Sequence, residues 1–442
     1  MRTSTGSRRS RRLAGTLTLA LTGSALLGVT AVPPAVASDQ SGGISQVKLS
    51  YRGDTSTSIV ISWRDAAATT AGSVLIGAGG TLDACPAGCR TVAADRRLIG
   101  SSDGGPYAYY QAEVTGLKPG TGYAYRVDDG GAPGSVQRFS TPAGADAPLR
   151  AAFLGEVHIG DKVQPGWPTP ALAPVLDQVR QSGAQFVQST GDNVDTGSVE
   201  GEWERFFGAS PGLFGSTPYL TAIGNHETYG GFGKGVPAAT VFGNFPQPTN
   251  GDGTGRYYSY VVNGVYFAVV EANPETPTAS FERELTWLAK DLAAAKKRTR
   301  FQVVITHSPP FHSRTSRVTP TYENPEFREG LVPLMDRYGV ELVISGHDKH
   351  YVRSYPLNGK RDPGAVPAVA PKRVRAGAGT TYMELTSTGQ SYSDFLEQSW
   401  MAKSAPVNAE YLQLDFGVKE IRAKAIQPDG KVLDRFNVPE VR

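Results

Sequence analysis

The stretch AQFVQSTGDNVDTG, residues 184–197, decides the fold class of the larger part of this chain. Its first half is an apolar, β-branched and aromatic run of the kind that forms a buried strand, and it stops at a glycine. Asp192, Asn193 and Asp195 follow at once, each with a side-chain oxygen to offer. Layered α/β sheets hold their ligands just beyond the carboxyl ends of their strands. A strand that exits into Gly-Asp-Asn therefore predicts such a sheet with a site at its end.

Four further stretches repeat the pattern: LGEVHIG (154–160), IGNHETYG (223–230), THSPPFHS (306–313) and SGHDKHYVRSY (345–355). Together they carry all six histidines, His158, His226, His307, His312, His347 and His350. One histidine alone is usually a satisfied structural residue, but histidines and carboxylates that all stand at strand ends are the donors of one shared site. Carboxylates, an amide oxygen and imidazoles, without thiolate, suit Fe, Mn or Zn in mixed oxygen and nitrogen coordination. One or two such ions would bind a phosphate and ionise a water near neutral pH. The phosphate-binding pattern GxxxxGK[ST] is absent.

At 442 residues and a net charge of +3, the chain has room for two or three domains and no excess charge that argues for nucleic acid. Short basic clusters such as KKRTR (296–300) read as solvated helix ends. Residues 1–37 read as a cleaved export signal: Arg8-Arg9 and Arg11-Arg12, a weakly apolar segment, then the small-residue site AVA at 35–37. The paired arginines fit a twin-arginine signal as well as an ordinary one. No later stretch is apolar for long enough to span a bilayer, so a secreted, cell-surface or periplasmic protein without a transmembrane anchor is expected. Cys85 and Cys89, in CPAGC, are expected to form a small disulfide in that oxidising setting.

Residues 38–146 read as a β-sandwich, from short runs such as SIVISW, YAYYQAEVTGL and GYAYRV separated by Gly, Asp and Pro turns. Trp63 is the expected core tryptophan and Tyr123 the expected tyrosine corner. TPAGADAP (141–148) reads as the linker. Residues 147–442 alternate strands and helices. Phe281, Leu285, Leu288 and Leu292 mark one helix face, and Phe327, Leu331, Leu334 and Tyr338 another. The second helix has Asn324 as N-cap, Pro325 at its first position and Gly339 as its stop.

Taken in order, GEVH, GDNVD, GNHE, the histidine of THSPP and GHDKH resemble the blocks of the calcineurin-like metallophosphoesterases, in their purple-acid-phosphatase-like branch with an N-terminal fibronectin type III-like module. The resemblance implies an α+β chain: an N-terminal β-sandwich, then a four-layer α/β/β/α metallophosphoesterase domain. It implies that Asp192 bridges two metals, that Asn225, His307 and His347 complete the second metal's ligands, and that His226 stabilises the transition state or protonates the leaving oxygen. It also implies a phosphate ester, small or polymeric, as the substrate. With Asp195 where purple members carry a metal-binding tyrosine, the iron–tyrosinate colour is not expected.

Two positions depart from the pattern. Glu156 stands where the family has aspartate, and Lys349 stands where it has a histidine; both family residues bind the first metal. Three readings are open. Glu156 and His158 still ligate a first metal, with His350 replacing the lost imidazole. Alternatively, the Lys349 ammonium takes that metal's place and pairs with Glu156 and Asp192. In the third, hydrolysis is lost and the fold serves as a binding protein. Beside these stands a surface-binding reading, in which Tyr107, Tyr109 and Tyr110 form an exposed aromatic platform on the sandwich. Arg314 and Arg353 are candidate phosphate contacts.

Overall fold

The computed structural model describes residues 43–65, 71–79, 81–82, 88–131, 133–160, 172–231, 235–271, 278–317, 325–358, 372–386, 394–406 and 409–441. The expected export signal, Cys85 of the expected disulfide, and the Asn324 cap fall outside these residues.

Seven strands lie in the order β1-β2-β5-β4-β3-β6-β7. They are β1 (Ile44–Ser50), β2 (Ile59–Asp65), β3 (Gly72–Ala78), β4 (Arg90–Ser101), β5 (Gly104–Val114), β6 (Gly122–Asp128) and β7 (Gln137–Ser140). The long strand β4 joins two faces, its first half pairing with β3 and its second with β5. Alternation along β2 and β5 sends Trp63 and Tyr110 inward, where their rings stack 5.0 Å apart. The Tyr123 hydroxyl accepts the Lys118 N–H at 2.8 Å, the bond a tyrosine corner makes. The alternative reading of an aromatic platform fails: Tyr109 and Tyr110 are 1% and 0% exposed and belong to the interior.

The rest of the chain builds two stacked sheets. The first runs β10-β9-β8-β20-β21-β22, from β8 (Leu149–Leu154), β9 (Val187–Ser189), β10 (Tyr219–Thr221), β20 (Tyr411–Phe416), β21 (Glu420–Ile426) and β22 (Val432–Pro439). The second runs β11-β12-β13-β14-β18-β15-β19, from β11 (Tyr258–Val262), β12 (Val265–Val270), β13 (Phe301–Thr306), β14 (Leu342–Ser345), β15 (Tyr351–Ser354), β18 (Thr381–Glu384) and β19 (Met401–Ala405). A two-stranded ladder, β16 (Leu357–Asn358) with β17 (Lys372–Arg373), stands apart.

The period-two pattern places the layers. Ala151 and Phe153 of β8 face Phe267, Val303 and Ile305 between the sheets, in an apolar core continuous with that of the sandwich. Ala152 and Leu154 face outward to α1 (Leu172–Ser182), α2 (Glu200–Gly208), α3 (Pro211–Phe214) and α4 (Ala239–Asn244). On the far side, Ala268, Val304 and Val343 pack under α5 (Thr278–Ala295) and α6 (Pro325–Tyr338). The fold is thus an N-terminal β-sandwich followed by helices, sheet, sheet and helices. Gly339, at φ +65°, ends α6 as expected. No helix among the described residues is long and apolar enough to cross a membrane.

Candidate active site

The donors stand just past the ends of β8, β9, β10, β13 and β14. The backbone there is unusual. His158, Asp192, His347 and Lys349 all have positive φ, at +50°, +53°, +68° and +58°. Each such residue costs about 1–3 kcal/mol and persists only where its surroundings over-determine it. Glu227 supplies part of that constraint: its buried carboxylate accepts the N–H groups of Asp192 (2.8 Å), Asn193 (2.9 Å) and Gly224 (2.9 Å). Gly224 is required where it stands, since a Cβ there would lie 2.1 Å from Asp192 Oδ1. Sequence reasoning quoted Glu227 within GNHE but gave it no role.

On one side of Asp192, lone pairs converge. His307 Nδ1 donates to the Thr190 carbonyl at 2.9 Å, which turns Nε2 toward the site. Around Nε2 lie Asp192 Oδ2 at 3.3 Å, Asn225 Oδ1 at 3.1 Å and His347 Nδ1 at 3.0 Å. Asn225 Nδ2 is committed to the Tyr229 hydroxyl at 2.9 Å, which leaves its oxygen facing inward. Such an array calls for positive charge. Burial pushes the His307 imidazole down, but the Asp192 carboxylate outweighs it and carries the group up to about 9. Likewise burial would raise Asp192, yet His307, His226 and the hydrogen bonds it accepts hold it well below the carboxylate range. Glu156, Asp192, His307 and His347 each bring one donor atom within 4.8 Å of the others. Two carboxylates and two imidazoles, with an amide oxygen beside them, fit a transition-metal ion.

On the other side the charge is already supplied. Lys349 Nζ lies 2.5 Å from Glu156 Oε2 and packs against His158 Nε2. Burial would raise the Glu156 carboxyl, but the Lys349 ammonium and His158 hold it below the usual carboxylate range. His158 Nε2 also lies 2.9 Å from Glu156 Oε2 and 3.3 Å from Asp192 Oδ2, and its Nδ1 donates to Asp195 Oδ1 at 3.0 Å. Burial and the Lys349 ammonium press this imidazole down, but the three carboxylates outweigh them and carry it up to about 10. His226 lies over this pair. Its ring is edge-on to His158 with centroids 4.3 Å apart, its backbone N–H donates to Asp192 Oδ1 at 2.9 Å, and its Nδ1 donates to the Asp195 carbonyl at 2.7 Å. His226 Nε2 is left as its open nitrogen. Burial pushes this imidazole down to about 4.

Not every expected residue joins the cluster. His350 turns away: its Nδ1 meets Ser313 Oγ at 2.8 Å and its ring packs on Phe395. Asp348 is bound by the Ser313 N–H at 2.8 Å and by His312. With both neighbours tied to the 312–313 loop, the turn at Lys349 can send only Lys349 into the site, so His350 does not take the missing imidazole's place. Arg314 and Arg353 pair instead with Asp394 and Asp434, at 2.8 and 2.7 Å. Gly100–Gly104 spells G-x-S-x-G, the pattern of a serine-hydrolase elbow. Here it is the tip of the β4–β5 hairpin, where Ser102 donates to the Ser198 carbonyl.

Residues 149–351 match the family of calcineurin-like phosphoesterases, so the chain carries a phosphoesterase domain of that class. Residues 44–141 match the purple acid phosphatase N-terminal domain, so the chain joins an N-terminal domain of that kind to a calcineurin-like phosphoesterase domain. It is 27% identical to purple acid phosphatase 21 of Arabidopsis thaliana over 285 residues, 61% of this chain and 60% of that protein. It is 26% identical to human acid phosphatase type 7 over 275 residues, 56% and 58% of the two chains. These matches span roughly three-fifths of the length of the curated relatives. In fold it is similar to a purple acid phosphatase from yellow lupin seeds, with a TM-score of 0.74 at 18% identity, covering 90% of this chain and 74% of that one. It is also similar to a structure of PhoD, with a TM-score of 0.61 at 12% identity.

Proposed function

We propose that the chain is an exported, metal-dependent phosphoesterase whose site is altered at Glu156 and Lys349. The observation that carries the proposal is the convergence of Asp192 Oδ2, Asn225 Oδ1, His307 Nε2 and His347 Nδ1 on one small space. When bound there, Fe, Mn or Zn supplies a Lewis acid for the phosphoryl oxygen and lowers the pKa of water.

The chain's own residues supply the rest. Asp192 and Glu227 hold the loops in register. Lys349 contributes a fixed positive charge that favours an anionic phosphate. His226 is half-buried at the mouth and keeps its Nδ1 on the Asp195 carbonyl, so its Nε2 is the nitrogen placed to exchange a proton with the leaving oxygen. His158 is positioned by Asp195 and braces Glu156. Export rests on residues 1–37 and implies a disulfide at Cys85 and Cys89.

Purified protein should hydrolyse p-nitrophenyl phosphate or bis-p-nitrophenyl phosphate, lose that activity to a chelator, and regain it with Mn²⁺ or Zn²⁺. The Lys349 ammonium inside the site favours a second reading, a phosphate-binding protein without turnover. Saturable phosphate binding with no hydrolysis of either ester would establish that reading and refute the first.

A further inference from the structure

The donor atoms form two groups that share Asp192: Glu156, Asp192, His307 and His347 in one, His158, Asp192 and His226 in the other. A pair of cations side by side would use both. The two groups differ in what already lies within them. Around His307 Nε2 the neighbours are the acceptors Asp192 Oδ2 and Asn225 Oδ1 and the imidazole of His347. Beside His158 lies Lys349 Nζ, salt-bridged to Glu156 Oε2 at 2.5 Å and in contact with His158 Nε2.

An ammonium cannot ligate a metal, and a cation placed against it is repelled. It also has little freedom to leave. Lys349 is 2% exposed, and the residues on either side of it are anchored to Ser313. Ser313 is anchored in turn, its hydroxyl donating to Glu384 Oε2 at 2.5 Å.

The second oxygen of Glu156 adds an independent sign. Among the described residues, buried Glu156 Oε1 has no hydrogen-bond partner. A buried carboxylate oxygen in that state has lost its hydration without replacement. Glu156 belongs to the same donor group as His307 and His347, so its carboxylate is within reach of a metal ion held there.

We propose that this chain holds one metal ion rather than two. Lys349 permanently occupies the His158 side, and Glu156 is shared, salt-bridged to the ammonium through Oε2 and offering its carboxylate to the ion as well. The inference rests on the metal-dependent reading above and deepens it.

The test counts metal. Full-length protein purified without chelator is measured by elemental analysis, then stripped and titrated calorimetrically with Mn²⁺ and with Zn²⁺. One ion per chain is expected, lost in His307→Ala. The double variant Glu156→Asp/Lys349→His, checked for folding by circular dichroism, is expected to bind two. Lys349→Gln, which keeps the length and removes the charge, takes its place if the double variant does not fold, and a second ion is expected there too. Two ions in the unaltered chain would overturn this inference and leave the phosphoesterase reading standing. No ion under any condition would overturn both. One ion in the unaltered chain and still one in a folded Lys349 variant would show that the ammonium is not what excludes the second.

Discussion

Removing the Asp103 carboxylate tests whether the sandwich helps to shape the catalytic loop. Helix α2 begins at Glu200, and its own N-cap residue, Val199, makes no side-chain cap. The cap comes from the β4–β5 hairpin instead. Asp103 Oδ1 accepts the Glu200 N–H at 3.0 Å and Oδ2 accepts that of Gly201 at 2.8 Å. The same hairpin reaches the segment before the helix, with the Ser102 N–H on the Ser198 carbonyl at 2.9 Å. That segment continues from Asp195, which orients His158 and His226. Loss of an N-cap costs about 0.5–2 kcal/mol. At about 1.4 kcal/mol per factor of ten, the opening of this helix end should rise roughly 2- to 30-fold. Hydrogen exchange of the Gly201 amide in Asp103→Ala should accelerate by that factor, while the Glu200 amide keeps Ser101 Oγ as an acceptor at 2.9 Å and the β8 and β12 amides keep their rates. The pH dependence has a definite sign. Burial raises the Asp103 carboxyl, but Ser101 and the two helix N–H groups outweigh it and leave the group below its ordinary 3.8. The cap is therefore complete above that value and is lost as the pH falls through the lower folded pKa. Unchanged exchange at Gly201 in the variant would refute the reasoning.

Lys349→Ala should destabilise the chain by roughly 3–5 kcal/mol, because it strands the buried Glu156 carboxylate. Added Mn²⁺ should restore part of the loss, as read from thermal melts with and without the ion. Gly224→Ala forces a Cβ to within 2.1 Å of Asp192 Oδ1, and calorimetry should show metal affinity falling by at least about tenfold. Burial pushes Glu341 up to about 7, against the N–H bonds it accepts from Gln302 and Val441. The folded state then holds a proton that the unfolded chain has released, so stability should fall as the pH rises from about 4.5 toward 7. Urea melts across that range should show the slope, and Glu341→Gln should flatten it.

Much of this molecule was legible residue by residue. Val187 to Asp192 announced a strand that ends at a site, and the same reading located His307 after β13 and His347 after β14. The alternation in β2 and β5 that made Trp63 a core residue also buries Tyr110, while Tyr109, on the opposite face, is covered by Glu200 and Gly243, and neither joins an aromatic platform. Less legible was the strand Tyr411–Phe416, which pairs with β8 in the middle of the first sheet although more than two hundred residues separate the two. Its local pattern is that of any buried strand, and its partner is set by the packing of the whole sheet.

The sequence alone determined the kinds of chemistry available: imidazoles, carboxylates and an amide at strand ends, an exchanged Glu156 and Lys349, and a sandwich ahead of a layered domain. The donors and the two-part organisation follow from composition and periodicity, which are local; the exchange at Glu156 and Lys349 is read from the family resemblance. Only the tertiary structure decided which side chain of the Asp348-Lys349-His350 turn enters the site. That choice depends on a φ of +58° at Lys349 and on Ser313, Glu384 and Phe395 holding its neighbours from elsewhere in the chain. A side chain's direction at a turn is set by the contacts that pin the backbone on either side, and here those contacts come from segments far away in sequence.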